Sequence, residues 1–153
     1  MRNKRTLLIK QLDQKLKPFL ESEKVIIPNK GWINTIRTTL NMTMAQLGTK
    51  LNITRQGVQK IEKNEANGNI TLNSLKDVAN AMELKLVYAL IPKDKTVENL
   101  IQLKANNLAK KIVLRTNQNM KLESQQVGDD KIDKLISELA CEIKREVRKS
   151  LWD

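Results

Sequence analysis

Apolar positions along this chain recur at helical spacing in seven stretches and change period once. Residues 6–20, TLLIKQLDQKLKPFL, set Leu8, Leu12, Leu16, Phe19 and Leu20 on one stripe with lysines opposite, and Pro18 bends or stops that helix. EKVIIPN follows as a short extended piece closed by Pro28. KGWINTIRTTLN has helical spacing through Trp32, Ile33, Ile36 and Leu40, with Trp32 as the first core residue. TMAQLGTKL opens on Thr43 as an N-cap and buries Met44 or Ala45 with Leu47, Gly48 and Leu51. TRQGVQKIEKN opens on a second cap, Thr54, and buries Val58 and Ile61. After the loop ANGNI, TLNSLKDVANAM is capped by Thr71 and turns Leu72, Leu75, Val78, Ala79 and Met82 inward.

The period then shifts. LKLVYALIP, residues 84–92, is dense in large apolar and β-branched residues and ends at Pro92, which predicts a strand over 84–91. A strand needs a partner. Two pairings are open, with the same strand of a second subunit or with KVIIP of this chain, and the first is favoured. Two further helices are expected, 94–116 through Val97, Leu100, Ile101, Leu108, Ile112 and Val113, and 131–151 through Ile132, Leu135, Ile136, Leu139, Ile143, Val147 and Leu151. The polar stretch NQNMKLESQQVGDD separates them. The expected organisation is an N-terminal helical arm over 1–28, a compact helical region with its terminal strand over 29–92, and a C-terminal helical region over 93–153 for dimer or partner contacts. The 131–151 stripe supports three roles: closing a dimer, binding a partner protein, or packing on the 94–116 helix as a hairpin.

Composition narrows what such a fold does. Lysine and arginine total 28 against 17 acids, a net charge of +11. The excess is spread over residues 1–128, while 129–153 is slightly acidic. A field of that sign suits a polyanion, either nucleic acid or an anionic membrane surface. The chain has no histidine and one cysteine, Cys141, so neither a disulfide nor a zinc cluster is expected. GDD at 128–130 reads as acids at a helix start rather than metal ligands. No apolar run approaches a signal peptide's core or a membrane span, which predicts a soluble cytoplasmic protein without a membrane role. With no acid–base histidine, nucleophile elbow or phosphate-cradling loop, an enzyme is not expected, nor is a cofactor.

The chemistry concentrates in MTMAQLGTKLNITRQGVQKIEKNE, residues 42–65. Two short helices meet across a tight turn, where Asn52 tolerates left-handed geometry and Gly48 permits a close crossing. Gly57 likewise allows a close approach to DNA or a neighbouring helix. Residues 32–82 resemble the phage-repressor/Cro (xenobiotic-response-element) helix-turn-helix family. The resemblance implies a mainly α, lambda-repressor-like bundle, here with one short β-strand and additional N- and C-terminal helices. KQLDQKL, KGWINTIR, EANGNITLNSLKDVANAMELKLVYALIPK and MKLESQ resemble the group called mobile mystery protein A over most of residues 10–125. That likeness implies a regulator encoded beside a Fic-domain protein, in a toxin–antitoxin-like pairing.

The family's roles map onto this chain as follows. The recognition helix spans 54–64, with Arg55, Gln56, Gln59 and Lys60 toward the major groove, beside the cap residue Thr54. Arg suits guanine O6/N7 and Gln suits adenine N6/N7, although the same set fits any solvated face. The preceding helix docks its N-terminus on phosphate through Thr43 and Met44, with Gln46 as substitute because Met44 stands where the family often has glutamine. Lys63 and Asn64 are further phosphate partners. Arg37 and Glu62 resemble the family's internal ion pair, and Arg37 is also a phosphate candidate. Such repressors dimerise to place two recognition helices in successive major grooves, and Leu84, Leu86, Val87, Tyr88 and Leu90 are the expected dimer interface. The function implied is a sequence-specific, double-stranded DNA-binding autorepressor acting as a homodimer. The alternative is an antitoxin or adaptor for a Fic-type partner.

Overall fold

The computed structural model describes residues 2–122 and 128–153, so part of MKLESQ (120–125) and of the polar stretch after it lies outside the described residues. Among the described residues seven α-helices form: α1 Arg2–Leu16, α2 Gly31–Thr39, α3 Met44–Leu51, α4 Arg55–Ala66, α5 Leu72–Ala81, α6 Val97–Leu122 and α7 Asp129–Glu146. Short 3-10 helices cover Lys17–Lys24 and Lys149–Trp152. The chain divides into two compact units, residues 22–89 and residues 1–21 together with 90–153. The N-terminal helix therefore belongs with the C-terminal region.

In the first unit, Ile33, Leu47, Val58, Val78 and Met82 form the core, with Ile36, Met44, Leu51, Ile61 and Leu75 packed around it. Each fully buried aliphatic side chain contributes about 1.5–3 kcal/mol of transfer free energy. Trp32 departs from expectation. It is 41% exposed, and Ile33 holds the core position one residue on. Leu72 likewise stays half exposed, because the stripe of α5 turns inward at Leu75, Val78 and Met82.

The expected strand does not form. No strand occurs among the described residues, and 84–92 runs without regular structure. The cause lies at the end of α5. Glu83 takes a left-handed conformation (φ 61°), its N–H donates to the Asn80 carbonyl at 3.1 Å, and the Leu84 N–H donates to the Ala79 carbonyl at 2.8 Å. This double closure ends α5 and releases the chain into 84–92. Apolar character gives a segment β-tendency, but a strand exists only where a second segment accepts its ladder. Leu86, Ala89, Ile91 and Pro92 are the half-buried residues of 84–92, and the rest of the segment is exposed.

In the second unit α6 and α7 pair as a hairpin, and Ile101, Ala105, Ala109, Ala140, Ile143 and Leu151 form the core. The two alanines of α6 are fully buried, and their small size allows α7 to lie close. The expected 131–151 helix is interrupted. Val147 adopts φ 47°, rare for a β-branched residue, and the following 3-10 turn brings Leu151 back onto the core. On α1 the inward residue is Ile9, while Leu8 and Leu12 remain exposed.

Two charges hold α1 in this unit. Asp13 accepts from the N–H groups of Val97 (2.7 Å) and Glu98 (3.2 Å), capping the positive end of α6. Arg5 donates to the carbonyls of Glu146 and Val147 (both 3.3 Å), capping the negative end of α7. An acid and a base two turns apart thus meet helix ends of opposite polarity. Asp13→Ala is expected to cost about 1 kcal/mol locally, read as roughly fivefold faster hydrogen exchange at Val97 and Glu98. Unchanged protection of those two amides would show that Asp13 does not hold the end of α6.

Candidate nucleic-acid interface

The helix pair α3–α4 is built by its caps and its turn. Thr43 accepts from the Gln46 N–H at 3.1 Å, and Gln46 Oε1 accepts from the Thr43 N–H at 2.8 Å, a reciprocal capping box. Thr54 repeats half of it, accepting from Gly57 N–H at 3.1 Å. Between them Asn52 sits in the left-handed region (φ 55°, ψ 39°) and ends α3. The Ile53 N–H donates to the Gly48 carbonyl at 2.9 Å, and a Cβ on Gly48 would lie 2.7 Å from the Ile53 carbonyl oxygen. Gly48 is thus the point where the turn folds back on α3. Gly57 has a milder neighbour, since a Cβ there would meet only the Ile53 side chain, at 3.3 Å.

On α4, Val58 is buried and Ile61 packs on the core. Arg55, Gln56, Gln59, Lys60 and Lys63 are exposed, and Asn64 is half-buried. At 100° per residue the five exposed side chains fall within about 140° of one another, a single face. Thr43, Gln46 and Thr54 are exposed at the starts of α3 and α4, whereas Met44 is half-buried and packs on the core. The Thr43 and Gln46 side chains are each engaged in the cap, so the oxygens of both are committed to α3 itself.

Arg37 is not brought to that face. It is 6% exposed, its Nε and Nη2 donate to Glu62, the latter at 3.2 Å, and its Nη1 donates to the Met42 carbonyl at 2.8 Å. Asn34 adds a bond to Glu62 at 2.8 Å. Burial alone would raise the Glu62 carboxyl, but the bonds from Arg37 and Asn34 and the guanidinium charge outweigh it and hold the pKa below its ordinary 4.5.

Sequence patterning alone does not reveal Glu65. Its carboxylate accepts from the N–H groups of Trp32 (2.8 Å) and Ile33 (2.9 Å), capping α2 from a helix distant in sequence. A Cβ on Gly31 would reach 2.6 Å from Glu65 Oε2, so the glycine before Trp32 is the one available sequence signal. Both acids past the first turn of α4 are therefore spent on α2. What faces outward is arginine, lysine and amide, without a carboxylate. Such a face attracts phosphate and offers bidentate donors to base edges.

Residues 33–88, from α2 to the segment after α5, match the model of a family described as Helix-turn-helix. Neither a curated protein nor a solved structure matches the chain. The matched segment is a helix-turn-helix domain, and the match supports a DNA-binding regulator of the xenobiotic-response-element type. No helix among the described residues is long and apolar enough to cross a membrane.

The two glycines predict opposite outcomes. Gly48→Ala gains about 1 kcal/mol of helix propensity but drives a methyl group into a fixed carbonyl, for a net loss of about 1–3 kcal/mol. Gly57→Ala asks only that an exposed side chain shift, and should leave stability unchanged or raised by up to about 1 kcal/mol. Urea unfolding of both variants checks the pair; equal losses would sink the close-approach account of Gly48.

Glu62 makes stability pH-dependent. With its folded pKa below the unfolded value, its contribution is full above about pH 4.5 and is lost as pH falls through the lower folded value. Glu62→Gln should cost about 3–5 kcal/mol at pH 7 by leaving Arg37 buried without its charge partner. It should also flatten the acid limb of a stability profile as pH falls below about 4.5. A variant with the wild-type acid limb would assign that limb to other carboxylates.

Proposed function

We propose that this protein is a sequence-specific regulator of double-stranded DNA that represses its own operon as a homodimer, with α4 as the recognition helix. The observation that carries this reading is the sorting of charge on α4. Glu62 and Glu65 turn inward onto α2, while Arg55, Gln56, Gln59, Lys60 and Lys63 share the exposed face. Arg55 and Gln56, at the N-terminus of the helix, are the base-reading pair. Lys60 and Lys63 serve as phosphate contacts, and the exposed starts of α3 and α4 supply N–H groups at Met44, Ala45 and Thr54, the Thr43 N–H being taken by Gln46. With its guanidinium occupied by Glu62 and Met42, Arg37 acts by orienting α4 rather than by touching DNA.

The dimer reading rests on exposed apolar surface after α5. Val87, Tyr88 and Leu90 are 61%, 69% and 89% exposed, a costly arrangement for a lone chain and a natural one for a two-fold contact. Leu84 and Leu86 extend the same segment. A two-fold pair would set two recognition helices about 34 Å apart, in successive major grooves. The likeness to mobile mystery protein A adds a Fic-domain protein as the partner whose operon this regulator would share.

Binding to the duplex upstream of its own gene, followed by fluorescence anisotropy across a salt series, tests the proposal. The natural duplex should bind tighter than a scrambled one, with log K falling by about 0.9 per neutralised phosphate per decade of salt. Arg55→Ala or Gln56→Ala should lose about 1–3 kcal/mol on the natural duplex alone. Lys63→Ala should weaken both duplexes alike and reduce the salt slope by about one phosphate. Equal weak binding to both duplexes, untouched by Arg55→Ala and Gln56→Ala, defeats the operator-reading proposal.

A further inference from the structure

The inward seam of α6 steps by four through Ile101, Ala105, Ala109 and Val113, and the next step is Asn117. An amide stands where the helix pair asks for an apolar side chain. Asn117 is 8% exposed, and its Oδ1 is buried with no hydrogen-bond partner among the described residues. Buried polar atoms in folded proteins are nearly always paired, so an orphan of this kind needs a cause.

Asn117 also lines a cleft of about 370 Å³ between α6 and α7. The size falls in the usual range for small-molecule sites, about 300–1,000 Å³. Ile112, Val113, Met120, Ile132, Leu135 and Leu139 make its walls apolar. Besides Asn117, the polar lining residues among those described are Thr116, Glu138 and Glu142. Thr116 spends its hydroxyl proton on the Ile112 carbonyl at 3.0 Å. Glu138 and Glu142, one turn apart, place two carboxylates along the α7 edge, and Glu142 shares its charge with Arg148 at 3.0 Å. Among the described residues no cationic side chain lines the cleft, although the chain as a whole carries a net +11.

We propose that this cleft is a binding site for a small amphiphilic cation, with an apolar body between α6 and α7 and a protonated amine directed to Asn117 and Glu138. An anion would meet the carboxylates of Glu138 and Glu142, and the nearby Arg148 guanidinium is already bound to Glu142. A wholly apolar ligand would leave Asn117 Oδ1 without a donor, as it is now among the described residues. A donor-bearing head satisfies the orphan oxygen, and its charge is matched by Glu138. Binding here does not depend on what α4 contacts, so the protein is tested without DNA.

Three probes sharing one body separate the head group from the cleft: 4-phenylbutylammonium, 4-phenylbutanol and 4-phenylbutyrate, titrated calorimetrically into the full chain. The ammonium probe should bind at least tenfold tighter than the alcohol, with the carboxylate weakest. The Asn117 side-chain NH₂ resonances should shift with the ammonium probe. Glu138→Gln, on an exposed edge, should weaken the ammonium probe about tenfold and leave the alcohol unchanged. Asn117→Leu, which restores the apolar seam, should retain the fold and remove the preference for ammonium over alcohol. The proposal is overturned by absence of ammonium binding at millimolar concentration, which would leave water as the partner of Asn117. Probes that bind within twofold of one another, or an ammonium affinity untouched by both variants, overturn it as well.

Discussion

The helix-turn-helix unit depends on how α4 is tied to α2. The outer face of α4 needs a fixed support, because an isolated helix of twelve residues is marginal in water. Apolar packing through Val58 and Ile61 supplies attraction but little directional constraint. Direction comes from the two acids of α4, one in a buried forked pair with Arg37 and the other capping the N-terminus of α2. The Arg37 guanidinium also reaches the Met42 carbonyl just before α3. One side chain therefore connects α2, the approach to α3, and α4. Because the pair is nearly dry, breaking it costs far more than an exposed pair would, and that rigidity positions the outer face.

The same constraint accounts for the electrostatics. A basic helix would be less selective for polyanions if its carboxylates were displayed among its bases. Turning Glu62 and Glu65 inward satisfies α2 and removes negative charge from the exposed face. Structural and functional demands are met by one arrangement, in which the groups that stabilise the bundle are those that would oppose DNA. The second unit uses helix ends in a related way, with Asp13 and Arg5 of α1 matched to the opposite poles of α6 and α7. Polar groups thereby specify where each element docks while the aliphatic core supplies most of the driving force.

Local signals were legible in the sequence because they act over a few residues. The caps at Thr43, Thr54 and Thr71, the left-handed turn at Asn52 and the small residue at Gly48 stand where the pattern of side chains placed them. The Arg37–Glu62 pair was legible through its resemblance to a known family, not through spacing. Errors arose where a neighbour distant in sequence decided the outcome. Trp32 looked like the start of a core stripe, yet Ile33 fits the space that α3, α4 and α5 leave. The 131–151 stripe continued through Val147 and Leu151, but the return of Leu151 onto the core broke the helix between them.

Sequence by itself determined the number and approximate extent of the helices, the turn that joins α3 to α4, and the polar residues concentrated on α4. Those properties follow from backbone propensity, capping and period, which a short window contains. Tertiary structure alone decided that 84–92 lacks a ladder partner among the described residues, and that α1 joins α6 and α7. It also decided that Glu65 caps α2 and that Asn117 interrupts an apolar seam. Each of these depends on which groups approach from elsewhere in the chain. A strand, a cap and a buried amide are defined by their partners, and no local window of sequence holds those partners.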